Sequence, residues 1–176
     1  MDLSIIPECY VDTNLIETLV PPTGKGYNHQ HGCGTVTKVM KERFTDGFAL
    51  GIIDKDKKEV DYLQQCDILL TSGSLLLHKH KTKHHYIIQI SPAIERMIFS
   101  NAAAVEIDIA DYDLPSDFEA FKKISKTQTS HKDGRFRRLF KALKAAKAAD
   151  FTKLEVWIKY LKDKTFKVSI DELKDL

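Results

Sequence analysis

Cysteine is scarce here: Cys9, Cys33 and Cys66 are the only three in 176 residues, widely spaced and with no CxxC pair. An odd number at such spacing argues against a disulfide framework and for ordinary reduced thiols in a cytosolic protein. Long apolar runs are missing too. None approaches the roughly 18 residues that a membrane span needs. The opening residues hold Asp2 and no basic stretch followed by an apolar one, so no secretory signal is expected. There is no Walker phosphate-loop pattern, no internal repeat and no low-complexity tract. Tryptophan occurs once, as Trp157, among Leu154, Ile158 and Leu161, and is expected in the core.

The chain is 43% hydrophobic and 30% charged, as befits a globular domain long enough to bury a proper core. Its net charge of +2 conceals two unlike parts. Residues 1–119 carry 11 Lys and Arg against 18 Asp and Glu, a balance of −7. Residues 120–176 carry 16 against 7, a balance of +9. A basic segment beside an acidic region suits a polyanionic substrate; it equally describes Lys-rich helices that are simply well solvated.

The acidic part has a focus. The apolar run Phe48 to Ile53 ends in Asp54-Lys55-Asp56. A short β-branched run after Gly47 reads as a buried strand, and the aspartates fall where it leaves the sheet. In open α/β sheets that carboxyl edge is where ligands bind. Two carboxylates held there repel each other, and Mg²⁺, which prefers hard oxygen ligands, relieves the repulsion. The plainer alternative is a solvated turn, in which Asp is common.

The surrounding pattern is expected to run as follows. A strand over 3–11 carries Glu8 and the irregularity of Pro7. The cap-rich Asp12-Thr13-Asn14 opens a short helix, which Pro21-Pro22 breaks. A second short strand covers 27–31, and Gly32-Cys33-Gly34 turns into a helix over 35–44. The strand 48–53 is then the third. After it come a short helix over 59–65, a strand over 67–70, two strands over 75–81 and 84–90, and a helix from Pro92 to Ala104 with Ser91 as cap. Helices follow at 115–125, 132–149, 152–163 and 169–175. The whole predicts an α/β fold: a mainly parallel, Rossmann-like sheet with helices on both faces over residues 1–112, and a basic helical extension over 113–176 packed on it as one globular unit.

A Glu at the first strand (Glu8), a glycine turn before the second helix (Gly32, Gly34) and Asp-x-Asp after the third strand (Asp54, Asp56) come in an order that resembles the Toprim domain of topoisomerases, primases and OLD-type nucleases. Ser91-Pro92-Ala93-Ile94-Glu95-Arg96-Met97 is similar to the Pro-x-x-Glu helix of RloB-like Toprim proteins of bacterial defence systems. Cys9 stands where the family has Gly, and Met97 where it has an aromatic residue. The resemblance implies a Toprim-like fold in which Glu8, Asp54 and Asp56 hold Mg²⁺, or Mn²⁺, for phosphoryl transfer, with Glu95 in support. It further implies a metal-dependent nuclease acting on nucleic acid, in a phage-defence setting, with a partner protein encoded nearby. Two other readings stand beside it. Val11-Asp12-Thr13-Asn14 resembles the opening of PIN-domain ribonucleases, and the Cys9 and Met97 departures suit a catalytically degenerate Toprim fold that only binds.

Arg135, Arg137, Arg138, Lys141 and Lys144 crowd one helix and are the candidate contacts to a nucleic-acid backbone. His78, His80, His84 and His85 are interleaved with Lys79, Lys81 and Lys83, whose charge opposes a cation, so an exposed polar hairpin is expected there rather than a metal site. His29-Gln30-His31 with Cys33 reads as a turn before a helix, with a Cys–His dyad as the less favoured alternative.

Overall fold

The computed structural model describes residues 2–55 and 60–176; Asp56, the second aspartate of the acidic pair, lies outside the described residues. Among the described residues five strands make one open mixed sheet, β1 (Ile5–Pro7), β2 (Ala49–Asp54), β3 (Cys66–Ser72), β4 (Leu75–His80) and β5 (His85–Ile90), in the order β1-β2-β5-β4-β3. β1, β2 and β5 are parallel, whereas β4 and β3 join antiparallel. The sheet is mixed, with β1, β2 and β5 its parallel part, because the links 73–74 and 81–84 are too short for a crossover and force hairpins.

Residues 27–31 are not a strand, so Asp54 closes the second strand rather than the third. The segment does lie along the free edge of β1, where Asn28 N–H donates to Ile5 O at 3.1 Å and Gln30 N–H to Pro7 O at 3.0 Å. Between them, His29 N–H turns back to Tyr27 O at 3.0 Å, which curls the backbone out of a ladder. The edge is covered, and Pro7, which lacks an N–H, is tolerated beside it.

Alternation sorts the strand side chains onto two faces. Ile6, Ala49, Ile53 and Ile87 face α2 (Cys33–Arg43), which contributes Val36, Val39 and Met40. The helix sits close because Gly51 has no side chain: a Cβ there would be 2.9 Å from Met40 Sδ and 3.0 Å from Val36 Cγ1. Ile5, Leu50, Ile52, Tyr86, Ile88 and Ile90 face the other layer. That layer holds α1 (Tyr10–Leu19), α3 (Ile94–Ala104), α4 (Phe118–Ser125), α5 (Gly134–Ala145) and α6 (Ala149–Lys164). A short α7 (Ile170–Asp175) adds Leu173.

The basic third therefore carries much of the core. On α5, Phe136, Leu139, Phe140 and Leu143 recur at helical spacing and are fully buried, in the same cluster as Ile5 and Leu50. Burying each such side chain stabilises by roughly 1.5–3 kcal/mol. The helix expected over 132–149 is shorter, Gly134–Ala145. It ends at Ala145; Ala148 N–H then donates to Leu143 O at 3.0 Å, with Lys147 in the left-handed region at φ 57°. This is a helix-ending turn built without its usual glycine. α3 starts at Ile94, not Pro92, and Ser91 does not cap it. No helix among the described residues is long and apolar enough to cross a membrane.

Candidate functional site

The parallel strands point their carboxyl ends to one edge, and acidic side chains gather there. Glu8 follows β1; its N–H extends the ladder to Ile52 O at 3.0 Å, and its Oε2 accepts the Asp54 N–H at 2.9 Å. Asp54 is the last residue of β2, and its Oδ1 accepts the Ile94 N–H at 2.9 Å. The carboxylate of one element thus caps the first turn of α3, where the helix dipole favours negative charge. The next residue, Glu95, is buried, and its Oε1 accepts the Ser125 hydroxyl at 2.6 Å.

A fourth carboxylate joins them. Asp12, in the first turn of α1, has Oδ2 accepting the Cys9 N–H at 3.1 Å, the reciprocal half of a capping box. Its other oxygen, Oδ1, is buried with no hydrogen-bond partner among the described residues, in a residue only 1% exposed. The sequence marks Asp12 as a cap residue and as part of the PIN-like tetrapeptide; its approach to Asp54 is a tertiary fact.

The clustering suppresses the ionisation of Asp54 and Asp12. Burial pushes Asp54 up to about 9, and the charges of Asp12, Glu8 and Glu95 add to it, with the Ile94 N–H pulling weakly the other way. Burial likewise pushes Asp12 up to about 7; the Cys9 contact opposes this, while Glu8 and Glu95 reinforce it. Burial, with the Asp12 charge behind it, also drives the Cys9 thiol strongly upward, so Cys9 stays protonated and is no nucleophile. Among the described residues, no hydrogen bond or ion pair joins a Lys or Arg to Asp12 or Asp54.

As they stand, no three His, Cys, Asp or Glu side chains among the described residues are placed to share a metal ion. Three of the carboxylate oxygens, Glu8 Oε2, Asp54 Oδ1 and Asp12 Oδ2, are taken up by backbone N–H groups. The donor chemistry nonetheless fits a hard divalent cation: among the described residues Asp12 and Asp54 meet no Lys or Arg, and Asp12 Oδ1 has no hydrogen-bond partner.

The basic candidates divide. Arg135 grips Asp133 at 2.7 Å and Arg138 grips Asp113 at 2.8 Å. Lys144 pairs with Glu155 at 2.9 Å. Arg137 and Lys141 are exposed on α5.

The expected exposed histidine hairpin is corrected. His78, His80 and His85 are buried, and only His84 of the four is exposed. β4 and β5 lie inside the sheet rather than at its rim, so their polar side chains become internal wiring. His85 bridges the Tyr62 hydroxyl at 2.6 Å and Phe44 O at 2.8 Å. His80 Nδ1 accepts the Thr82 and Lys83 N–H groups, both at 3.1 Å, and closes the β4–β5 turn. His78 contacts Gln89 at 3.2 Å.

Comparison with known proteins adds no relative to this geometry: no protein-family model, curated protein or solved structure matches the chain.

Proposed function

We propose that this chain is a Toprim-like, Mg²⁺-dependent phosphoryl-transfer protein acting on nucleic acid, in its simplest form a nuclease. The observation that carries the reading is the crowding of Glu8, Asp12, Asp54 and Glu95 at the carboxyl edge of parallel strands, with a buried Asp12 oxygen unpaired among the described residues. Buried like charges are costly unless something neutralises them, either protons or a cation. Glu8, Asp54 and Asp56 are the residues that would hold Mg²⁺ or Mn²⁺. Such an ion supplies charge neutralisation at a phosphate and a more acidic water. The protein's own contribution is positional. The β1 ladder fixes Glu8, the α3 amino terminus fixes Asp54, and Ser125 fixes Glu95.

A second reading shares this chemistry and gains from Asp12. The tetrapeptide that resembles PIN ribonucleases puts its aspartate in the same cluster, which favours Asp12 as an active member. The experiment is cleavage of labelled single- and double-stranded DNA and RNA with Mg²⁺, Mn²⁺ or chelator. Metal-dependent cleavage that disappears in Asp54→Asn, with folding retained, is expected. Loss in Asp12→Asn but not in Asp54→Asn would favour the PIN-like reading. Absence of cleavage under every condition would contradict both.

A further inference from the structure

Beside the carboxylates lies a second cluster that this chemistry leaves unused. Tyr10 opens α1 two residues after Glu8; His29 and His31 come from the segment covering the edge of β1; His131 ends the 3-10 turn Gln128–His131 before α5. The Tyr10 and His29 rings stack with centroids 4.4 Å apart and planes 21° apart. The His29 and His131 rings follow at 6.3 Å and 18°. Three nearly parallel rings from three separate segments make a ladder, which His31 meets edge-on. The outer rings, Tyr10 and His131, line an open depression of about 540 Å³ together with Gln128, Thr129 and Lys132.

The ladder is pinned by hydrogen bonds. Thr13 Oγ1 donates its single proton to Cys9 O at 2.7 Å, so towards His29 Nδ1, 3.0 Å away, it can only accept. His29 therefore carries its proton on Nδ1, and Nε2 is a bare acceptor, buried and without a hydrogen-bond partner among the described residues. His131 is held from the other side by Glu17, with Nε2 to Oε2 at 3.4 Å.

The lining selects a ligand class. The Tyr10 and His131 rings on the wall offer contact to a flat heteroaromatic group, the Gln128 amide and Thr129 hydroxyl offer donors and acceptors for its edge, and Lys132 offers charge for a phosphate. An apolar ligand would strand the polar groups, and a bare anion would leave the rings unused. A duplex keeps its base faces inside the stack. We infer that the Tyr10–His131 depression receives an unpaired nucleobase and so selects single-stranded nucleic acid, holding the strand against the carboxylate edge. This rests on the reading that the substrate is nucleic acid.

The test is fluorescence anisotropy of an end-labelled single strand and of the corresponding blunt duplex, in chelator so that no cleavage occurs. The wild-type protein is expected to prefer the single strand. Tyr10→Ala and His131→Ala should each weaken single-strand binding about fivefold or more, changing duplex binding less than about twofold, while Tyr10→Phe keeps its affinity. Proton NMR of the unaltered protein removes any dependence on variant folding: the imidazole signals of His31 and His131 should shift on adding the strand, and those of His78 and His85 should not. Absence of single-strand binding, equal losses on strand and duplex, or unmoved His31 and His131 signals would each overturn the inference. Cleavage is a separate readout. Metal-dependent cleavage with unaltered binding in Tyr10→Ala sinks this inference alone, and selective single-strand binding without cleavage under any metal sinks only the nuclease reading.

Discussion

At Asp54, the protonation state sets how stability depends on pH, with a definite sign. Its ordinary value is 3.8, and in the folded protein it stands near 9. Between these limits the folded state holds a proton that the unfolded chain has lost, so stability must fall as pH rises through that window and level off above it. Asp12, raised towards 7, steepens the fall in the lower part of the window; the two titrate as a coupled set. Thermal melts in chelator from pH 5 to 9 should show this decline. Asp54→Asn keeps an oxygen for the Ile94 N–H and cannot ionise. It should flatten the slope and melt higher than wild type at pH 8; an unchanged slope would contradict the shift. His85 carries the opposite sign. Burial holds it below its usual value, so its contribution is lost as pH falls from about 6.5. His85→Ala would leave the Tyr62 hydroxyl and Phe44 carbonyl without their buried partner, a loss of about 3 kcal/mol measurable by urea unfolding.

At the scale of elements, the sheet edge at Asp54 was legible because a short β-branched apolar run ending in acids reads as a buried strand leaving its sheet. Asp54 at the end of β2 follows from that pattern; Glu8 falls inside the strand expected over 3–11 and is joined to Asp54 only by the Toprim resemblance, whereas β1 ends at Pro7. Asp12 was not legible as their neighbour: a helix cap and a site carboxylate look alike in sequence, and only the packing of α1 on the sheet separates them. The histidine row misled for a related reason. Interleaved lysines suggest solvent, but β4 is flanked on both sides by strands, and Lys79 reaches back to the carbonyls of His80 at 2.8 Å and Lys83 at 3.1 Å. The β3–β4 turn is held from outside the hairpin as well. Gly73 sits at φ +53°, and a Cβ there would lie 2.1 Å from Asp150 Oδ1, the oxygen that accepts the Ser74 N–H at 3.1 Å. Gly73→Ala should therefore cost about 2 kcal/mol or more, through strain and a displaced Asp150. A variant as stable as wild type would show that the turn is not pinned to α6.

At the scale of the whole molecule, the charge boundary near residue 119 does not mark a break in packing. Phe136, Phe140, Phe151, Leu154, Trp157 and Leu161 share one core with Ile5, Leu50 and Ile88, so the basic third completes the fold that holds the acidic edge in place. A fragment of residues 1–112 should fail to show a cooperative melt, and Phe136→Ala in the full chain should lose about 3–5 kcal/mol. A folded fragment would make the C-terminal helices a dispensable layer. The central claim is that the crowded carboxylates exist to hold a cation, and calorimetric titration of Mn²⁺ into metal-free protein tests it most directly. Wild type should bind at pH 8 with release of protons and more weakly at pH 6, where protons compete, and Asp54→Asn should lose about tenfold or more in affinity. Equal binding by wild type and Asp54→Asn, or none by either, would mean that these carboxylates cap helices and hold protons, and that the site is not a metal centre.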